Sequence, residues 1–136
     1  MHILPTHHIQ NQMMVEVHYY SPYRFCLMRQ DVAWGKMVYY WGRGNHSATD
    51  VERNATYGQE EYVDSLFAAL KAKYVCKGIP VVLGEFAAYR RNIEDPANQA
   101  LNHKSVECFN WYVVKTAISN GIIPYYRDTP MNLFNR

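Results

Sequence analysis

The sequence predicts an α/β domain built on short parallel strands, and three observations carry that prediction. Four brief apolar runs punctuate the 136 residues, at Ile3-Leu4, Met14 to Tyr19, Pro80 to Phe86 and Ile122 to Tyr126. Two long segments of helical period separate the later runs, and a strand follows each within a few residues. The run PVVLGEF is apolar on both faces until its end, the pattern of a parallel strand buried on both sides. Helices alternating with strands join parallel neighbours by crossovers, which a tight hairpin cannot do.

Each element has its own signal. From Gln59 to Lys77, Val63, Leu66, Phe67, Leu70 and Tyr74 fall on one helical face. Glu60 and Glu61 suit the positive end of that helix, Lys71, Lys73 and Lys77 come late, and Gly78 is placed to cap it before Pro80. A second helix is expected over Leu101 to Asn120, with Val106, Phe109, Val113 and Ala117 as its stripe and Asn120-Gly121 as its stop. Between the second strand and the first helix lies Ser21 to Gly58, with Trp34, Tyr39, Tyr40, Trp41, Gly42 and Gly44 and little periodicity. A loop that long and that aromatic is expected to be ordered and to lie over a site.

Composition narrows the function classes. Charged residues make up 19% and the hydrophobic set 49%, a balance that supports one folded domain over residues 1–136. A formal charge of +2 with scattered basic residues gives no footprint for nucleic acid or an anionic membrane. No apolar stretch has the roughly 18 residues of a membrane span. The opening MHILPTHHIQNQ lacks the charged start, apolar middle and cleavage site of a signal peptide. Cys26, Cys76 and Cys108 are odd in number and far apart, so they are expected to be small buried residues rather than a disulfide framework. The unusual feature is 12 Tyr, 3 Trp and 5 Phe, rings that suit sugar-stacking clefts and interfaces as well as a core.

Ligands of parallel α/β folds bind at the carboxyl ends of the strands. There the sequence places Thr6-His7-His8, then His18, Tyr19 and Tyr20, then Glu85, then Tyr125, Tyr126, Arg127 and Asp128. Strand alternation puts Glu16, His18 and Tyr20 on one face, and Leu83 with Glu85 on one face of their own strand. Glu85 at a strand tip reads equally as a catalytic carboxylate or as a structural one paired with Arg90 or Arg91. Histidines and carboxylates occur together, but no His-Glu-x-x-His or similar motif does, so no metal is expected. No Gly-x-Gly-x-x-Gly or P-loop occurs either, and no cofactor is expected. Asn45-His46-Ser47 and Asn54-Ala55-Thr56 match glycosylation acceptors.

Taken together, VEVHYYSPYRFC, WGKMVYYWG, DVERNATYG, KGIPVVLGEFAAYRR and GIIPYYRD resemble glycoside hydrolase family 5, in particular the bacterial endo-β-1,4-glucanases (cellulases) of gut and rumen type. The resemblance runs from about Val15 to Arg136. It implies a (β/α)8 barrel that hydrolyses β-glucan with retention through two glutamates, in a family that is secreted. Within it Glu85 is the nucleophile at the seventh strand end, and His18 and Tyr20 are the His-x-Tyr pair of the sixth. His18 borders the substrate and Tyr20 hydrogen-bonds the nucleophile. Trp34 and Trp41 fall in the loop that walls the cleft, where they are expected to stack a sugar.

Two departures from the family pattern stand out. The general acid/base glutamate follows an asparagine at the fourth strand end, and no Asn-Glu occurs here; by the resemblance it lies before Met1. Glu16 shares the right face but sits two residues below the tip. The chain then corresponds to strands five to eight, half of a barrel that needs about 250 residues. Second, Tyr126-Arg127-Asp128 stands where the family has Tyr-Trp-Asp, so Arg127 replaces a tryptophan of the central subsite. Half a barrel leaves strand edges unpaired, which leads us to expect a two-fold dimer of half-barrels. The function expected is β-glucan hydrolysis with Glu85 as nucleophile. The alternative is an inactive half-barrel that dimerises and at most binds glucan.

Overall fold

The computed structural model describes residues 12–127. The expected strand at Ile3-Leu4, its end at Thr6-His7-His8, and Asp128 lie outside the described residues. Three strands form one parallel sheet, β1 (Val15–Tyr19), β2 (Val81–Phe86) and β3 (Ile122–Pro124), in the order β1-β2-β3. They alternate with α1 (Tyr23–Cys26), α2 (Glu60–Lys73) and α3 (Pro96–Ser119). β3 is shorter than expected because Pro124 ends it. Even so the chain stays beside β2, since Tyr125 N–H donates to the Leu83 carbonyl (2.8 Å) and Arg127 N–H to that of Phe86 (3.1 Å).

Alternation decides what the sheet buries. Tyr19 of β1, Val81, Leu83 and Phe86 of β2, and Ile122 of β3 enter one apolar cluster. The helices supply Val63 and Phe67 from α2 and Val106, Phe109, Val113 and Ala117 from α3, the stripes that the helical period foretold. α2 gives way to a 3₁₀ turn, Val75–Lys77, which Gly78 ends at φ 77°, a left-handed conformation that glycine adopts without Cβ strain. That turn lifts Cys76 onto the surface, against the expectation that all three cysteines are buried. α3 begins a turn earlier than its apolar stripe suggests. Asp95 caps it by accepting the Asn98 N–H (2.8 Å), and Pro96 supplies a pre-set φ at the first helical position.

The segment from Ser21 to Gly58 is ordered, and part of it belongs to the core. Tyr40 and Trp41 are fully buried. Trp41 meets Phe109 edge-on at 5.2 Å and donates its indole N–H to the Gly58 carbonyl (2.8 Å). Arg53 grips both carboxylate oxygens of Asp31 (2.6 and 2.7 Å), and Asn102 of α3 donates to the Tyr39 carbonyl (2.7 Å). Each of these ties loop to loop or loop to helix, and the Trp41 and Asn102 bonds do so by satisfying backbone carbonyls. The two glycosylation triplets are engaged as well. Asn45 is buried with its amide on the Trp41 carbonyl, and Asn54 exchanges hydrogen bonds with Ser47.

Among the described residues, no helix is long and apolar enough to cross a membrane. Two substitutions test this account of the fold by denaturant unfolding. Asp95→Ala is expected to cost about 1 kcal/mol while Asp95→Asn retains most of the cap. Trp41→Ala is expected to cost roughly 3–5 kcal/mol, the range for emptying a buried aromatic site.

Candidate active site

A single irregularity in the sheet creates the site. Val17 pairs with Leu83, but the next residue, His18, pairs with Glu85, so Gly84 is an extra residue in β2. Such a bulge turns two successive residues to the same side and re-aims the rest of the strand. Leu83 therefore points into the core, fully buried, while Glu85 faces His18 and Tyr20 on the open side. The expectation that Leu83 and Glu85 share a face fails for this reason, because simple alternation does not survive the bulge. Glycine at its centre leaves room for a neighbouring side chain. A Cβ on Gly84 would overlap the Glu16 carboxylate, which lies across it.

Three groups converge on one oxygen of Glu85. The Tyr20 hydroxyl donates to Oε2 at 2.9 Å, Arg127 Nη1 donates to it at 2.6 Å, and His18 Nδ1 lies 3.6 Å away. None of these three contacts is made to Oε1. On its other side His18 Nε2 is 3.0 Å from Glu16 Oε1, so one imidazole stands between two carboxylates. Glu16 is thereby committed to His18 and Gly84, below the strand tip. The partner of Glu85 is neither Arg90 nor Arg91. Arg91 turns inward and donates to the Met28 carbonyl (2.7 Å) and the Phe25 carbonyl (3.1 Å).

Electrostatics follow from that convergence. The Arg127 guanidinium, and after it the Tyr20 hydroxyl, hold the Glu85 carboxyl below its ordinary range. Burial pushes the Tyr20 phenol up, and its bond to Glu85 adds to the effect, so it stays a donor. Glu85 is accordingly ionised and oriented, with 27% of its side chain exposed.

The other expected site residues are dispersed. Trp41 is buried in the core and presents no face to a ligand, which corrects its expected role as a sugar platform. Trp34 is 69% exposed, with Tyr23 beside it at 6.3 Å between ring centres. It lines a cavity of about 460 Å³ with Leu27, Met28 and Arg29. Tyr126 lays its ring edge on Phe86 (5.5 Å) and is exposed. A second cavity, about 260 Å³, is lined by Tyr20 and Arg127, the two donors to Glu85, and by Leu27, Arg29, Ala87 and Tyr89 among others. Arg29 and Tyr89 carry no motif, so sequence reasoning passed over them. Gly84, by contrast, was a readable signal, because an isolated glycine inside a strand often marks a bulge. Among the described residues no cluster of His, Cys, Asp or Glu is arranged to hold a metal.

A parallel sheet with crossover helices and a carboxylate at a strand's carboxyl end is the layout of a partial (β/α)8 barrel. The family model for cellulase (glycosyl hydrolase family 5) matches residues 2–117, and the chain belongs to that family. It is 33% identical to an endoglucanase A of Paenibacillus barcinonensis over 93% of this chain and 30% of that protein. It is 32% identical to a xyloglucan-specific endo-β-1,4-glucanase of Bacteroides ovatus, over 92% of this chain and 23% of that one. Among solved structures, a family 5 xyloglucan-specific β-1,4-glucanase from a ruminal metagenomic library, in complex with XXLG, superposes with a TM-score of 0.74. Identity there is 42%, covering 85% of this chain and 28% of the other. The chain thus spans less than a third of the length of these relatives.

The site makes a titration prediction. Glu85 is favoured as carboxylate in the fold, so its pairing is present above the ordinary carboxylate range and lost as pH falls through its lowered midpoint. In Arg127→Gln that midpoint should move up toward the ordinary value, and in Tyr20→Phe it should move up less. Carboxyl-carbon NMR titration reads both; an unmoved midpoint in Arg127→Gln contradicts the assignment of cause.

Proposed function

We propose that this chain carries the nucleophile side of a retaining β-glucan hydrolase site, with Glu85 as the nucleophile. The observation that supports it most is the convergence of Tyr20, Arg127 and His18 on Oε2, which leaves Oε1 to attack. In the retaining reaction Oε1 bonds to the anomeric carbon as the glycosidic oxygen departs and takes a proton from a second carboxyl about 5–5.5 Å away. Water then hydrolyses the glycosyl ester. No Asn-Glu occurs in the 136 residues, and Glu16 is tied to His18, so only the attacking group is assigned here. Trp34 and the cavity beside it supply a stacking surface for glucan, and Tyr20, Tyr126 and Arg127 rim the approach to Glu85. The xyloglucan oligosaccharides bound by the solved relatives favour a β-1,4-glucan substrate.

Without a proton donor, hydrolysis of natural glucan falls by about 10²–10⁴-fold, the usual worth of general acid catalysis. A substrate with a self-sufficient leaving group bypasses that loss. A dinitrophenyl 2-deoxy-2-fluoro-cellobioside is expected to add one glycosyl unit, mapped by mass spectrometry to Glu85 and absent in Glu85→Gln. A second reading, an unreactive protein that binds glucan only, is favoured by the Arg127 cation lying on the nucleophile. Absence of label with retained cellotriose binding selects it.

Self-association belongs to the same proposal. Among the described residues β1 and β3 are the sheet edges, and Met14, Ile123 and Tyr125 are exposed large apolar groups on or beside those strands. Pairing two sheets about a two-fold axis would cover both. Light scattering should then give twice the 15.9 kDa chain mass, and a stable folded monomer overturns the pairing.

A further inference from the structure

The cavity next to Glu85 holds more positive charge than a nucleophile needs. Two guanidiniums, Arg29 and Arg127, line the same 260 Å³ space. Arg127 commits Nη1 to Glu85, but a guanidinium has five N–H donors in a planar fork. Arg29 directs Nε and Nη2 at a neutral acceptor, the Tyr89 hydroxyl, at 3.1 and 3.0 Å. Behind that wall Arg91 stands 5.6 Å from the Tyr89 ring centre, adding a third cation. Of the three, Arg127 is the one bonded to a carboxylate, Glu85.

The same cavity is poor in what a neutral sugar ring wants. Of its two aromatic residues, Tyr89 is 8% exposed and Tyr20 is part-buried with its hydroxyl bonded to Glu85, while the widely exposed ring, Trp34, lies in the neighbouring cavity. The two cavities share Leu27 and Arg29 and so are neighbours on the surface. Stacking is thus available at one end and charge at the other. A sugar carboxylate matches the planar forks of arginine in a way that hydroxyls do not.

Resting on the reading of Glu85 as nucleophile of a β-glucan site, we propose that the Arg29–Arg127 cavity is a subsite for a glycan unit bearing a carboxylate, a glucuronosyl residue. Arg29 is its specificity-determining group. Arg127 bridges the nucleophile and the acidic unit, and the Tyr89 hydroxyl holds the Arg29 fork at the cavity wall.

Calorimetric titration of the chain with cellotriose, and with the three singly C6-oxidised cellotrioses, tests this. At low salt at least one oxidised form is expected to bind about tenfold tighter than cellotriose, the gain from one charge-assisted contact. The preference should shrink as salt screens it. Arg29→Gln should remove the preference and Arg29→Lys retain part of it, with folding of both checked by circular dichroism. The salt series on the unaltered chain needs no variant. Equal binding of neutral and oxidised forms, or a preference that survives Arg29→Gln, overturns the subsite and leaves the glucan reading standing. Failure of every trisaccharide to bind overturns both. Free glucuronate is expected to compete weakly; displacement at equal concentration makes the cavity a plain anion site and overturns the glycan assignment.

Discussion

The pairing of β1 with β2, interrupted at Gly84, is the constraint on which the rest depends. A strand with strict alternation would place Glu85 beside Leu83, in the apolar cluster under the helices. There an unpaired carboxylate is costly enough that the fold or its charge would give way. One extra residue separates the two demands. Leu83 and Phe86 both reach the core, and Glu85 emerges between them on the opposite side. The extra residue is glycine, and the Glu16 side chain occupies the space a Cβ would take. Fold and site are therefore coupled through a single position without a side chain.

The convergence of donors on Oε2 extends the same logic into chemistry. Tyr20 comes from the end of β1 and Arg127 from the segment after β3, so the neighbours of β2 on either side each send one donor to Glu85. Neither donor sits on the strand that carries Glu85. Their spacing is set by sheet geometry, with strands about 4.8 Å apart, and not by flexible side chains alone. A carboxylate held this way has little freedom to rotate.

Much of this was legible in the sequence, for identifiable reasons. The helices announced themselves through Val63, Phe67, Phe109 and Val113 because burial imposes a 3.6-residue period. Glu85, His18 and Tyr20 could be grouped because strand ends are a predictable place. Trp41 could not be placed. Nothing local distinguishes a tryptophan that stacks on solvent-facing sugar from one whose indole N–H finds a carbonyl inside. Its burial depends on Phe109, distant in the chain and part of a helix whose stripe is already satisfied on paper. Arg127 could be read only as a substitution, since its partnership with Glu85 requires the register of three strands. Arg29 and Tyr89 were silent for the same reason, as their meeting spans 60 residues.

The anchoring of the long loop has a consequence for how this surface can change. Trp41 and Tyr40 root the loop in the core, whereas Arg29 and Trp34 lie exposed on an earlier stretch of it. Asp31, gripped by Arg53, stands between those two exposed residues and gives their stretch an anchor of its own. Substitutions at Arg29 or Trp34 therefore change what the surface presents while the clasp and the buried rings keep the segment in place. Such an arrangement makes the segment an evolvable module, in which surface chemistry drifts while the foundation stays fixed.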